Sequence, residues 1–181
     1  MTIAYVGLGA NLGDARDTVE RALLAIDALP ATRLSAQSSL FRSAPVDATG
    51  DDFVNAVAQL DTRLSAPDLL AHLQHIELAF GRERPFPNAP RTLDLDVLLF
   101  GNEQHQTTTL TVPHPRLTQR AFTLIPLLQL DALIDIPGYG PAHTFVADVA
   151  GQVIQKMVQR SCMDKPVRLL SDGDVMGGLS S

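Results

Sequence analysis

The order of hydrophobic periodicities along the chain predicts an α+β fold: a ferredoxin-like βαββαβ core with additional C-terminal helices. Three observations carry that prediction. Four short runs rich in aliphatic and β-branched residues are bounded by Gly, Pro or Asp. Two stretches with apolar residues at helical spacing and cap signals follow the first and third runs. The last third reads as helical. Composition allows one packed core, with 45% hydrophobic and 19% charged residues among 181. Cys162 is the single cysteine, so neither an internal disulfide nor a multi-cysteine zinc site contributes.

Thr2–Leu8 is the first strand, ending in glycines. Asp14 is placed to cap a helix running to about Leu29, with Val19, Leu23 and Ile26 on its apolar face and Pro30 ending it. Arg33–Phe41 reads as the second strand, Ser43–Asp52 as a loop and Phe53–Leu60 as the third strand. Ser65, with Asp68 three residues on and Pro67 in the first turn, opens the clearest helix. Its stripe is Leu69, Leu73, Ile76 and Phe80, and Gly81 stops it. A proline-rich loop over 81–90 leads into the fourth strand, Thr92–Phe100. Helices are expected over Pro115–Leu130, broken at Pro126, and over Phe145–Arg160. Residues 1–160 are expected to form one domain, with 161–181 a loosely ordered tail.

Charge and cation usage exclude several function classes. The net charge of −6 argues against a broad nucleic-acid grip. Lys156 and Lys165 are the only lysines; the other twelve of the fourteen cations are arginines. A P-loop or a protein kinase needs a lysine far earlier in the chain. The first residues carry no leader pattern and no run is long enough for a membrane helix, so a cytoplasmic protein without membrane association is expected.

Asp94-Leu95-Asp96 is the sharpest chemical signal. Residues i and i+2 of a strand share a face. Leu93, Leu95, Val97 and Leu99 are therefore expected to face the helix-covered core. Asp94 and Asp96 then point together the other way, with Leu98 and Phe100 beyond. Their Cα atoms would be about 6.7 Å apart. Two charges near 7 Å repel by roughly 2 kcal/mol at an effective dielectric of about 20. A pair of magnesium ions would relieve that repulsion; the alternative is two solvated acids on an exposed strand face. Arg82, Arg84 and Arg91 lie just before the strand and supply forks for phosphate oxygens. Val112-Pro113-His114-Pro115-Arg116 sets His114 at a helix start, with Arg116 and Arg120 as i,i+4 neighbours.

Weaker signals surround these. Gly7–Gly13 lacks the third glycine of a dinucleotide fingerprint, because Leu12 stands there. It reads as a tight turn with Asn11 and Gly13 in unusual backbone conformations. Gln74 and Glu77 share one flank of the second helix, and His72 and His75 the other, where no third ligand supports a metal. Phe53 and Asn55 share a strand face near Ser43, Ala44 and Val46, and an aromatic plane beside a carboxamide suits a flat heterocycle. A nucleic-acid-binding fold and a metal-dependent phosphohydrolase remain as rival readings, the first disfavoured by the two carboxylates on a central strand.

Arg82-x-Arg84 and Ala89 through Gly101 (APRTLDLDVLLFG) resemble the signature of the 6-hydroxymethyl-7,8-dihydropterin pyrophosphokinases of folate biosynthesis. Leu110–His114, Arg120–Phe122, Ala10–Gly13 and Phe53–Ala56 fit the same pattern, in order, from about Ile3 to about Arg160. The resemblance implies a transferase that moves the pyrophosphoryl unit of ATP to the pterin hydroxymethyl group and releases AMP. It implies two Mg²⁺ on Asp94 and Asp96, and catalytic roles for Arg82 and Arg91 beside these aspartates. It implies ATP contacts from Gln74, Glu77, Arg84, Arg91, Val97, Thr111, His114 and Arg120. It implies a pterin pocket of Ser43, Ala44, Val46, Phe53, Asn55, Asp94 and Phe122, and a monomer whose partners are ATP and the pterin. The chain departs from the family pattern at Pro85–Asn88, where a basic residue and a tryptophan are usual. It departs also at Thr109 and at Pro115, usually arginine and aromatic.

Overall fold

The computed structural model describes residues 1–11, 13–45, 50–81 and 92–159. Strand β1 (Thr2–Ala10) runs into helix α1 (Ala15–Asp27), whose first turn is closed by Asp14 Oδ1 accepting the Asp17 N–H at 3.0 Å. The chain returns through β2 (Thr32–Gln37) and β3 (Phe41–Ser43), then runs back along β4 (Phe53–Thr62). Helix α2 (Ala66–Ala79) follows, with Ser65 Oγ accepting the Asp68 N–H at 3.2 Å as the cap signal predicts. Next comes β5 (Asp94–Phe100), then the small ladder of β6 (His105–Gln106) and β7 (Thr111–Val112). A 3-10 turn at Leu117–Gln119 precedes helix α3 (Ala121–Leu130). Beyond it lie β8 (Asp135–Ile136), β9 (Gly140–Pro141), a 3-10 helix over Ala142–Val149, and β10 (Ile154–Lys156).

The main sheet is antiparallel, in the order β10-β3-β4-β1-β5, with β2 also on β4. β2 and β3 pair successive lengths of β4, from Thr32 opposite Thr62 to Ser43 opposite Phe53. The single strand expected over Arg33–Phe41 is thus interrupted. Ser38 takes both polar groups of Val57: its N–H donates to the Val57 carbonyl and its Oγ accepts the Val57 N–H, each at 2.9 Å.

The sheet has two apolar faces. On one, Ala4, Val6, Leu8, Ala56, Ala58, Leu60, Leu95 and Val97 pack under Val19, Leu23 and Ile26 of α1 and Leu69, Leu73 and Ile76 of α2. On the other, Tyr5, Val57, Leu98 and Leu99 meet Leu117, Leu124 and Leu127 around α3. The strict alternation expected for β5 fails at its end. Tyr5 pairs with Leu99 and Val6 with Val97, which leaves Leu98 as an extra residue in a bulge. That residue shifts the register, so Leu99 joins the α3 face and Phe100 the α1/α2 face, the reverse of the expectation.

The C-terminal third also differs from its sequence reading. The helix expected from Pro115 begins at Ala121, after the short 3-10 turn. It continues through Pro126, the sixth of its ten residues, which removes one backbone hydrogen bond without ending it. The helix expected over Phe145–Arg160 does not form over the described residues 150–159. The 3-10 segment stops at Val149 and the chain extends as β10 along β3, whose free edge offers the pairing. Among the described residues no helix is long and apolar enough to cross a membrane. The expectations about the tail and, past Gly81, about the loop over 81–90 lie outside the described residues.

Candidate active site

The α3 face of the sheet is only partly covered, and what α3 leaves open is a cleft of ≈ 910 Å³. Its floor follows from strand register. Asn55 of β4, Gly9 of β1 and Asp94 of β5 form one cross-strand row; Val57, Gly7 and Asp96 form the next. Paired residues share a face, so Asn55 and Asp94 point the same way, about 10 Å apart across a glycine strand. A Cβ on Gly9 would lie 3.1 Å from Asn55 Oδ1, and one on Gly7 would touch Leu98 at 3.4 Å. The glycines therefore keep the floor low where the carboxamide and carboxylates rise from it.

Asp94 and Asp96 are both half-buried, two residues apart on that floor. Ser43 and Asn55 form the wall beyond. Both are buried, and Asn55 Nδ2 donates to Ser43 Oγ at 2.8 Å, which fixes the carboxamide. Ala44 and Phe53 extend this wall, and Phe122 stands on the α3 side. Arg120 also lines the cleft, its guanidinium 5.4 Å from the Phe122 ring centre. Burial and the neighbouring Arg116 lower the Arg120 pKa, while the negative fields of Asp96 and Asp94, which line the same cleft, oppose that shift.

His114 stands near this charge cluster without lining the cleft itself. Its N–H donates to the Leu98 carbonyl at 2.9 Å, and its Nδ1 accepts the Arg116 N–H at 3.1 Å. The neutral ring therefore carries its proton on Nε2. Burial first, then Arg120 and Arg116, push its pKa below the usual histidine value, against the pull of Asp94.

Other sequence candidates separate from the cleft. Glu77 is buried on α2, and its Oε1 accepts the Leu95 N–H at 3.2 Å, between the two aspartates in sequence. Val97 lies in the core on the opposite face, Gln74 is exposed on α2, and Thr111 is exposed on β7. Val46, Arg82, Arg84 and Arg91 lie outside the described residues. Of the two residues expected in unusual backbone conformations, Gly13 has a positive φ of 59° and Asn11 does not have a positive φ; the Asn11 Oδ1 is buried and has no hydrogen-bond partner among the described residues. Among the described residues no three His, Cys, Asp or Glu converge on a metal position. The two carboxylates are nevertheless hard oxygen donors of the kind Mg²⁺ uses when phosphate and water complete its shell.

A family model described as 7,8-dihydro-6-hydroxymethylpterin-pyrophosphokinase matches residues 5–132. The chain belongs to that family. With that membership comes pyrophosphoryl transfer to a hydroxymethyldihydropterin in folate biosynthesis. A 2-amino-4-hydroxy-6-hydroxymethyldihydropteridine pyrophosphokinase of Pseudomonas aeruginosa is 48% identical over 134 residues, covering 74% of this chain and 83% of that protein. One from Haemophilus influenzae is 36% identical over 170 residues, covering 93% and 99%. A solved HPPK-DHPS with substrates superposes with a TM-score of 0.66 at 11% identity, which shows the fold; the match spans 81% of this chain and 43% of that longer one. A Plasmodium falciparum HPPK-DHPS with pterin and p-hydroxybenzoate gives 0.65 at 12% identity, over 82% and 44%.

Within this pyrophosphokinase fold, sequence reasoning missed Gln119, Thr123 and Gln152 as cleft-lining residues, and it noted Arg116 without assigning it to the site. Arg116 carried a signal in its spacing from Arg120. The others carried none, because the turn before α3 and Gln152, 33 residues beyond Gln119, meet only in the folded chain.

Proposed function

We propose that the open-face cleft binds ATP and the hydroxymethyl dihydropterin side by side, with Asp94 and Asp96 holding two Mg²⁺ ions. The observation that carries this is the row Asn55-Gly9-Asp94: a fixed carboxamide for a flat polar heterocycle, a bare glycine, then an acid pair. Phe53 and Phe122 flank the pterin ring, and Ser43 and Asn55 meet its polar edge. Arg116, Arg120 and the Nε2–H of His114 serve the phosphate side, together with Arg82, Arg84 and Arg91.

The pterin hydroxyl oxygen bonds to the β-phosphorus of ATP, and the bond from that phosphorus to the oxygen bridging the α-phosphate breaks. The bridging oxygen takes the electron pair and leaves as AMP, and the hydroxyl proton is lost. The magnesium ions, when bound, supply charge neutralisation on the phosphates and a lower pKa for the attacking hydroxyl. The protein's own share is orientation and fixed positive charge near the leaving oxygen. Arg120 suits that task because a guanidinium stays charged even where burial lowers its pKa.

The strand order, with α1 and α2 together on one face, supports a ferredoxin-like description of the core. A monomeric, cytoplasmic enzyme is part of the same reading. Product analysis by ³¹P NMR tests the reaction. AMP appearing only when the pterin alcohol is present supports it. Phosphate released from ATP without the pterin points to a hydrolase instead.

A further inference from the structure

Gln152 lies outside the 5–132 span that the family model matches, yet it lines the cleft. Both ends of its carboxamide engage the backbone on either side of Arg120. Gln152 Oε1 accepts the Ala121 N–H at 2.9 Å, and Gln152 Nε2 donates to the Gln119 carbonyl at 2.7 Å. Arg120 is the extended residue (φ −124°, ψ 118°) between the 3-10 turn and α3, and among the described residues neither helical segment is capped by the side chain of its own N-cap residue. The direction of the Arg120 side chain is set at this joint. Thr123 holds the inner side of the same joint, its Oγ1 donating to the Leu117 carbonyl at 3.1 Å and the Arg120 carbonyl at 3.0 Å. Gln152 holds the outer side.

Gln152 is itself anchored. Its N–H donates to the Val149 carbonyl at 3.0 Å, and two residues later Ile154 of β10 pairs with Ser43 of β3. One carboxamide thus ties the wall that carries Ser43 to the joint that carries Arg120 and Phe122. A two-point bridge across a single residue resists rotation at that residue, which a one-point cap does not.

We infer that Gln152 is a positioning residue that aims Arg120 at the phosphate side of the cleft. The inference rests on Arg120 acting in the proposed reaction. A double-mutant cycle in the full chain tests it. Gln152→Ala lowers kcat/KM about tenfold, whereas the same change in an Arg120→Ala background alters it by under about twofold. Equal losses in both backgrounds overturn the inference. Gln152→Glu can accept from Ala121 but cannot donate to Gln119, so it remains slow; wild-type kinetics in that variant also overturn the two-point bridge. Amide exchange reads the contact without activity: Ala121 N–H exchanges faster in Gln152→Ala, and an unchanged rate contradicts the bridge. An Arg120→Ala enzyme as active as wild type would overturn both this inference and the placement of Arg120, while Ala121 exchange would still report the contact separately.

Discussion

The two faces of one sheet are built from alternating residues of the same strands, yet they do opposite work. Beneath α1 and α2, β1 presents Ala4, Val6, Leu8 and Ala10, all buried against aliphatic helix stripes. On the reverse, β1 presents Tyr5, Gly7 and Gly9, and only the Tyr5 end is covered by α3. The closed face holds the fold together. The open face carries two acids and a carboxamide around a glycine floor. A strand that alternates large and small residues can thus supply a core and a site at once.

Substitutions on each face break that contrast in different ways. Asp96→Ala on the open face removes one arm of the acid pair, with an expected rate loss of about a thousandfold or more. Its urea midpoint stays close to wild type; a folded variant with full magnesium-dependent turnover would refute the pair. Leu73→Ala on the closed face leaves a cavity under α2, where Leu73 is fully buried. It is expected to cost about 2–5 kcal/mol in chemical denaturation, with kcat/KM of the folded fraction unchanged. Gly9→Ala lies at the border, because its methyl would crowd Asn55 Oδ1. It raises the pterin KM about tenfold, near 1.4 kcal/mol, while the ATP KM holds; equal changes in both would place the crowding elsewhere.

The smallest expected effect is the pH dependence at His114. Its folded pKa is lowered by burial first and then by Arg120 and Arg116, so below the ordinary value the unfolded chain binds more protons than the folded one. This group's contribution is fully present above about pH 6.5 and is lost as pH falls through that value toward the folded pKa. In the ligand-free protein, His114→Asn flattens the acid-side decline in stability measured by denaturation between pH 8 and 5, values taken around that ordinary pKa. An unchanged slope would mean His114 titrates without penalty.

Much of this was legible in the chain because it is local. Asp14 and Ser65 cap the helices their spacing predicts, and the Asp94-Leu95-Asp96 alternation places both acids on one face. What stayed hidden depends on partners distant in sequence. The bulge at Leu98 exists only against the register of β1. β10 is three residues long and forms because β3 offers an edge, so its own periodicity carries no strand signal. No motif or periodicity in the chain singles out Gln129 or Gln152. In the fold, Gln129 Oε1 accepts the Ser39 N–H while its Nε2 donates to Ser39 Oγ, both at 2.8 Å. Thus α3 is tied at each end by a glutamine that no local pattern marks.

The most direct check is calorimetry of a non-hydrolysable ATP analogue with magnesium, titrated into the wild-type chain and into the Asp94→Asn/Asp96→Asn double variant. Magnesium-dependent binding to the first, and its loss in a still-folded second, are the expected result. Equal magnesium-dependent affinity for both proteins would contradict it.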